Sequence, residues 1–189
     1  RYAGEKRLVR SFEEMAVSEE NIPWKERGIY LITGGAGGLG LIFAKEIAAR
    51  IKDGTLILTG RSVLSQEKAS ELRQLERPGM RVEYESADVC DPDAVVGLIQ
   101  EIQGRFGSLS GIVHSAGVIQ DNFIFKKTRT EFEQVLAPKV KGVMNLDMAT
   151  RAADLDFFVL FSSGAGVTGN AGQADYATAN AFMDAYAEY

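Results

Sequence analysis

The sequence predicts a doubly wound α/β fold, a parallel sheet with helices on both faces. Three observations carry that expectation. Short apolar runs alternate with helix-compatible stretches along most of the chain. Four of the five runs are continuously apolar, as strands covered on both faces require. A turn holding five glycines in "GGAGGLG" separates the first run from the first helix.

The strands are predicted at 28–33 ("GIYLIT"), 55–60 ("TLILTG"), 81–88 ("RVEYESAD"), 110–117 ("SGIVHSAG") and 156–163 ("DFFVLFSS"). The first helix, 39–51, presents one apolar face and runs out at Lys52, before the turn dipeptide Asp53-Gly54. The second, 64–76, stops ahead of Pro78-Gly79. The third, 91–107, opens with Asp91 as N-cap and Pro92 at the first helical position. The fourth, 128–153, begins with Thr128 and Glu131 at capping-box spacing, and Pro138 should kink or split it. The fifth, 172–189, is rich in alanine and helix-compatible to the end of the sequence. Strand–helix repetition of this kind implies right-handed crossovers.

Residues 1–25 do not join the alternation, and read as the end of a preceding subdomain or as a packed arm. Residues 26–189 form the predicted domain, large enough to bury a substantial core. Its last helix meets the end of the sequence with no strand after it, as expected of part of a longer polypeptide. A net charge of −5 argues against a nucleic-acid or anionic-membrane partner. The sequence contains no apolar run long enough for a transmembrane helix, and its charged first residues are not a secretory signal. Cys90 is the only cysteine, which excludes an internal disulfide and suits a reducing cytoplasm. With His114 the only histidine, no structural metal site is expected.

A glycine-rich turn between the first strand and the first helix is the layout that binds a dinucleotide pyrophosphate. Free N–H groups at the helix N-terminus attract the phosphates, and missing side chains let them approach. A P-loop is excluded, because no Lys-Ser or Lys-Thr follows the last glycine. The spacing Thr33-Gly34-x3-Gly38-Leu39-Gly40 resembles the short-chain dehydrogenase/reductase family, whose fold is a Rossmann-type sheet. NAD-preferring enzymes carry an acid after the second strand, whereas "LTGRS" offers Arg61. An arginine there suits the 2′-phosphate of NADPH, with a solvated surface arginine as the plainer alternative. Asp88-Val89 resembles the family's adenine-contacting pair, unless Asp88 is a simple cap. Ser115, Ala116 and Gly117 form the small-residue turn that borders the cofactor in that family; His114 before them reads as a packed residue. On the same resemblance Gly35 and Gly37 join Thr33, Gly34, Gly38 and Leu39 in the cofactor loop.

Reduction of a carbonyl needs a proton donor, a polarising hydrogen bond and a cation beside the donor. Short-chain reductases use Tyr, Ser and Lys, with the lysine four residues after the tyrosine. Here Ser162-Ser163 end the fifth strand, Tyr176 follows Ser163 by thirteen residues, and position 180 holds Asn180 instead of lysine. "LAPKVKG" supplies a cation elsewhere, at Lys139. Together "ITGGAGGLG", "LTGRS", "HSAGV", "LAPKVKG", "FSSGAG" and "GQADYATANAF" resemble the ketoreductase domains of bacterial modular polyketide synthases, in which lysine and asparagine exchange helices.

That resemblance implies NADPH-dependent reduction of a 3-ketoacyl thioester held on the phosphopantetheine of an acyl carrier protein, with the synthase's other domains as neighbours. Tyr176 would protonate the alkoxide, Ser163 would hold its oxygen, Lys139 would lower the Tyr176 pKa, and Asn180 would position Lys139 or a relay water. The substrate lid and last strands would follow the tyrosine helix, so 26–189 would be a catalytic domain cut short at its C-terminus. Of the two stereochemical subtypes, one carries tryptophan where Thr168 stands and the other Leu-Asp-Asp where "IQD" stands. Asp121, the surviving acid, favours the second subtype and a D-configured hydroxyl. Two other readings compete: a stand-alone reductase of a free small molecule, and a redox-silent domain that only shapes its synthase.

Overall fold

The computed structural model describes residues 2–9, 11, 13–15 and 22–189. Positions 1, 10, 12 and 16–21, all within the predicted arm at 1–25, lie outside the described residues. Five parallel strands form the sheet: β1 (Gly28–Thr33), β2 (Gly54–Gly60), β3 (Met80–Ser86), β4 (Gly111–His114) and β5 (Phe157–Leu160). Their order is β3-β2-β1-β4-β5, so the winding reverses between β1 and β4. In register, Thr33 ends β1 beside Thr59 of β2 on one side and His114 of β4 on the other.

Three of the four continuous apolar runs behave as their composition demands. Successive side chains of a strand point to opposite faces; both faces are buried in β1, β2 and β4, whereas the edge strand β5 is only half-buried, with Val159 exposed. Tyr30, Ile32, Leu56 and Leu58 pack beneath Ala44 and Ile47 of α1 (Gly38–Arg50) and Leu72 of α2 (Gln66–Arg73). Leu31, Ile57 and Ile112 meet Val95, Ile99 and Ile102 of α3 (Pro92–Phe106) and Leu146 of α4 (Arg129–Thr150). A short helix α5 (Ala165–Thr168) and the long α6 (Ala174–Glu188) complete the layer beyond β5.

The helix starts follow their capping signals. Asp91 accepts hydrogen bonds from the N–H groups of Asp93 and Ala94, with Pro92 following it. Thr128 and Glu131 close a reciprocal capping box. Of the kink or split expected at Pro138, the split does not occur: a single helix, Arg129–Thr150, carries through it. Proline forfeits one backbone donor there, but the turns on either side are anchored by buried Val135, Lys139, Gly142 and Val143. The strand ends also shift, since β4 and β5 stop at His114 and Leu160 and the residues after them form loops. Three short elements were not anticipated: α5, a 3₁₀ turn at Ile124–Lys126, and an antiparallel pairing of Tyr2–Ala3 with Lys6–Arg7 that stands apart from the main sheet. No helix among the described residues is long and apolar enough to cross a membrane.

Just ahead of β1, Trp24 stands edge-on to Tyr30 and Phe157, with ring centroids 5.7 and 5.2 Å away. The Tyr30 hydroxyl accepts the Lys25 N–H at 2.7 Å, and the Lys25 ammonium pairs with Asp156 at 2.6 Å. The approach to β1 is thereby fastened to β5 across the sheet. Trp24→Ala should cost about 2 kcal/mol in urea unfolding, the loss of a half-buried aromatic and its edge contacts. A change below about 0.5 kcal/mol would show that the segment merely rests on the domain.

Candidate active site

In a doubly wound sheet the crevice opens outside the strand ends where the winding reverses, here between Thr33 and His114. The glycines after β1 serve three different physical purposes. Gly34 has φ of +65°, and a Cβ on it would stand 2.9 Å from the backbone of Ala116. Gly40 lets α1 press on the loop itself, since a Cβ there would meet the Gly34 carbonyl at 2.6 Å. Gly38, at the first turn of α1, has nothing within 4 Å of the position its Cβ would take. The N-cap of α1, Gly37, makes no side-chain cap bond, so no capping side chain occupies that N-terminus.

A cavity of about 480 Å³ lies over this helix N-terminus. Gly34, Gly37, Gly38 and Leu39 form its floor, and Ser115, Gly117, Lys139 and Tyr176 stand around it. A smaller hollow of about 120 Å³ shares Gly34 and Gly117 with the first and continues towards the end of β2. Arg61, Asp88, Val89 and Ala116 line that second part. The buried Thr59 hydroxyl, also in its wall, has no hydrogen-bond partner among the described residues. A long crevice with an uncapped helix N-terminus, an open glycine, an orphaned hydroxyl and an arginine fits an extended phosphorylated nucleotide. A larger hollow of about 630 Å³, between Asp53 and Arg81, lies at the opposite ends of the strands and contains none of the predicted site residues. Among the described residues no cluster of three or more His, Cys, Asp or Glu could hold a metal.

At the cavity's far end stands the buried ammonium of Lys139, 5% exposed. It donates to the Phe161 carbonyl at 2.8 Å and lies over the Tyr176 ring, 5.6 Å from its centroid. Burial pushes the Lys139 pKa down to about 8, partly countered by the field of Asp184. Gly117 provides the space, since a Cβ there would stand 3.3 Å from Lys139 Cε.

His114 explains how Lys139 is held. Its Nδ1 lies 2.7 Å from the Thr33 hydroxyl and its Nε2 3.0 Å from the Pro138 carbonyl. A carbonyl can only accept, so Nε2 carries the proton and Nδ1 accepts from Thr33. The Ala116 N–H in turn donates to the Thr33 hydroxyl oxygen at 3.4 Å. One neutral imidazole therefore bridges β1 to the turn of α4 that bears Lys139. Burial pushes its pKa down to about 4, and the nearby Lys139 charge acts in the same direction.

The other predicted residues divide. Asn180 is buried on α6, but its Nδ2 turns back to the Tyr176 carbonyl at 2.7 Å and its Oδ1 has no hydrogen-bond partner among the described residues. Ser162, not Ser163, lines the cavity, and its hydroxyl donates to the Asn180 carbonyl at 3.3 Å. Ser163 Oγ accepts the Ala165 N–H at 3.2 Å. Thr33 is fully buried behind the loop, and Gly35 packs against Leu58. Asp121 is exposed outside the cavity wall, its carboxylate accepting from Gln173 Nε2 at 2.9 Å. Sequence reasoning missed Thr59, Ser162 and the Phe161 carbonyl, whose residue types carry no chemical signal away from this fold.

A glycine-floored crevice leading to a tyrosine beside a lysine ammonium is the arrangement of the short-chain dehydrogenase/reductase class. Residues 28–189 match the model of the KR domain family, and the chain belongs to that family, the ketoreductase domains of polyketide synthases. It is 53% identical over 97% of its length to polyketide synthase PksL of Bacillus subtilis, and 52% identical over all of it to PksN of the same organism. It spans only 4% of the length of each of those relatives. Among solved structures it is similar to a ketoreductase domain from the bacillaene assembly line (TM-score 0.89, 55% identity), covering 92% of this chain and 42% of that one. A ketoreductase from the macrolactin assembly line superposes with a TM-score of 0.86 at 48% identity, over 91% of this chain and 35% of that one.

Two outcomes follow from the site's geometry. Gly40→Ala should lower the melting temperature, because its methyl group meets backbone, whereas Gly38→Ala should keep or raise it; the reverse order in a thermal melt would contradict the packing. His114 is held neutral below its unfolded pKa of 6.5, so its contribution is complete above that value and is lost as pH falls towards 4. That arm amounts to about 3 kcal/mol and should be missing in His114→Gln; equal acid sensitivity of both proteins would rule it out.

Proposed function

We propose that this chain is the nucleotide-binding and catalytic part of an NADPH-dependent ketoreductase acting on 3-ketoacyl chains carried by an acyl carrier protein. The buried Lys139 ammonium over the Tyr176 ring, at the end of the glycine-floored crevice, carries the reading. Family membership and the synthase relatives support it. The α1 N-terminus with Gly34, Gly37, Gly38 and Leu39 would hold the pyrophosphate, with Thr33 and Gly35 bracing the loop from below. Arg61 would meet the 2′-phosphate, Asp88 and Val89 the adenine, and Ser115, Ala116 and Gly117 the nicotinamide side. When bound, NADPH supplies the hydride.

The chain's own residues manage the proton. Tyr176 gives its phenolic hydrogen to the alkoxide that forms at the 3-keto carbon. The adjacent ammonium of Lys139 stabilises the phenolate left behind and orders the cofactor's ribose. With a pKa near 8, Lys139 is itself poised to pass on a proton at working pH. Ser163, next in sequence to the cavity-lining Ser162, would turn its hydroxyl from the Ala165 N–H to the substrate oxygen, and the Asn180 Oδ1 is available to a relay water. Asp121, at the edge of the site, is assigned to facial selection and a D-configured hydroxyl. The other domains of the synthase would deliver and accept the carrier-bound chain.

Single-turnover NADPH oxidation with a 3-ketoacyl carrier protein tests this in the full-length protein. Tyr176→Phe should slow the step by about 10²–10⁴-fold while leaving NADPH affinity close to that of the native protein. Lys139→Met should lose a comparable factor. Full-rate turnover in the phenylalanine variant would remove Tyr176 from its role, and no turnover in the native protein would identify a redox-silent domain.

A further inference from the structure

The geometry points to Lys127 and Asp175 as a buried positioning pair that locks the loop carrying Asp121 to the helical turn carrying Tyr176. The pair would thereby set how the substrate ketone meets the phenol, a role that rests on the ketoreductase reading above.

Lys127 follows the 3₁₀ turn at Ile124–Lys126, and Asp175 sits in the first turn of α6. Their side chains are 2% and 1% exposed, with the ammonium 2.5 Å from Asp175 Oδ2. The ammonium also donates to the Gln120 carbonyl. On the other side, Asp175 Oδ1 accepts the Tyr176 N–H at 2.8 Å. One cation and one anion thus connect the backbone beside Asp121 to the backbone of the proton donor. Two further bonds run parallel to this path. The Asn122 N–H donates to the Gly172 carbonyl at 2.9 Å, and Gln173 Nε2 to the Asp121 carboxylate at 2.9 Å.

Apolar packing does not hold this loop. Ile119, Phe123, Ile124 and Phe125 are all more than half exposed, so the polar bonds determine its position. An exposed pair nearby makes the contrast. Arg129 and Glu133 approach to 2.6 Å, but at 91% and 61% exposure water and salt screen them. A buried pair is no better for stability than apolar residues of the same volume, whereas it fixes geometry and punishes removal of either partner. Asp175 Oδ2 takes no directed hydrogen bond beside its ionic contact. Without Lys127 the buried carboxylate would keep the Tyr176 N–H but lose its counter-charge, and would turn towards water. That response disturbs the turn that holds Tyr176. Displacing a reacting group by about 1 Å costs on the order of 10²-fold in rate.

The test uses Lys127→Met, Asp175→Asn, their double variant and Arg129→Gln in the full-length protein. With NADPH and a 3-ketoacyl carrier protein, each single variant should lose about 10²-fold in kcat and raise the fraction of the minor hydroxyl enantiomer. NADPH affinity should change less than about twofold. The double variant should be no worse than the poorer single one, as for groups acting as a unit, and Arg129→Gln should match the native protein. Amide hydrogen exchange without substrate supplies a second readout. Either single variant should accelerate exchange in 119–127 and 172–177 together, leaving β1 and β4 unchanged. Unaltered rate and enantiomer ratio, or exchange that rises in only one segment, would overturn the proposal. Should the native protein reduce nothing, the ketoreductase reading fails, and the exchange measurement still decides whether the pair couples the two segments.

Discussion

Keeping the Lys139 ammonium dry is the constraint from which most of this site follows. A lysine that is 5% exposed has lost most of its hydration, and among the described residues it donates one hydrogen bond, to the Phe161 carbonyl, and faces the Tyr176 ring. Such a position is unfavourable for the charged form, which is why its pKa falls to about 8. The fold sustains it by bracing the lysine's own turn. His114 ties the Pro138 carbonyl to Thr33 at the end of β1, so the helix that delivers the ammonium is fastened to the strand that delivers the glycine loop. The glycine-floored crevice and Lys139 are thereby held in one frame.

The same economy appears in the glycine-rich turn. Its glycines are not interchangeable gaps for a ligand. Gly34 and Gly40 let the loop fold upon itself and upon Ala116, while Gly38 faces open space at the mouth of the cavity. Close packing under the loop leaves the N-terminus of α1 facing the cavity, and the electrostatics of that N-terminus make the crevice suited to phosphate. Fold and site therefore depend on one local feature in two separable ways.

Much of this was legible in the residues. Continuous apolar runs identified a sheet buried on both faces, and Asp91, Pro92, Thr128 and Glu131 placed two helix starts. Motif order brought Lys139 and Tyr176 to one cavity although they lie on different helices. What the residues left open depends on tertiary context. Pro138 carries a strong local signal to break a helix, yet packing on both sides outweighs the single lost donor. "FSSG" does not reveal which serine faces the cavity, because that depends on how β5 ends. Lys127 stands in "FKKT", which reads as a solvated surface run, and Asp175 resembles an ordinary first-turn acid. Only the fold shows that both are buried and paired.

The most direct measurement is the titration of Lys139 itself, followed by the ¹³Cε shift of lysine in the full-length protein and assigned with Lys139→Met. One lysine should titrate near pH 8, against 10.5 for a free side chain. A Lys139 midpoint at the free value would place the ammonium in water and deprive the phenol of its partner.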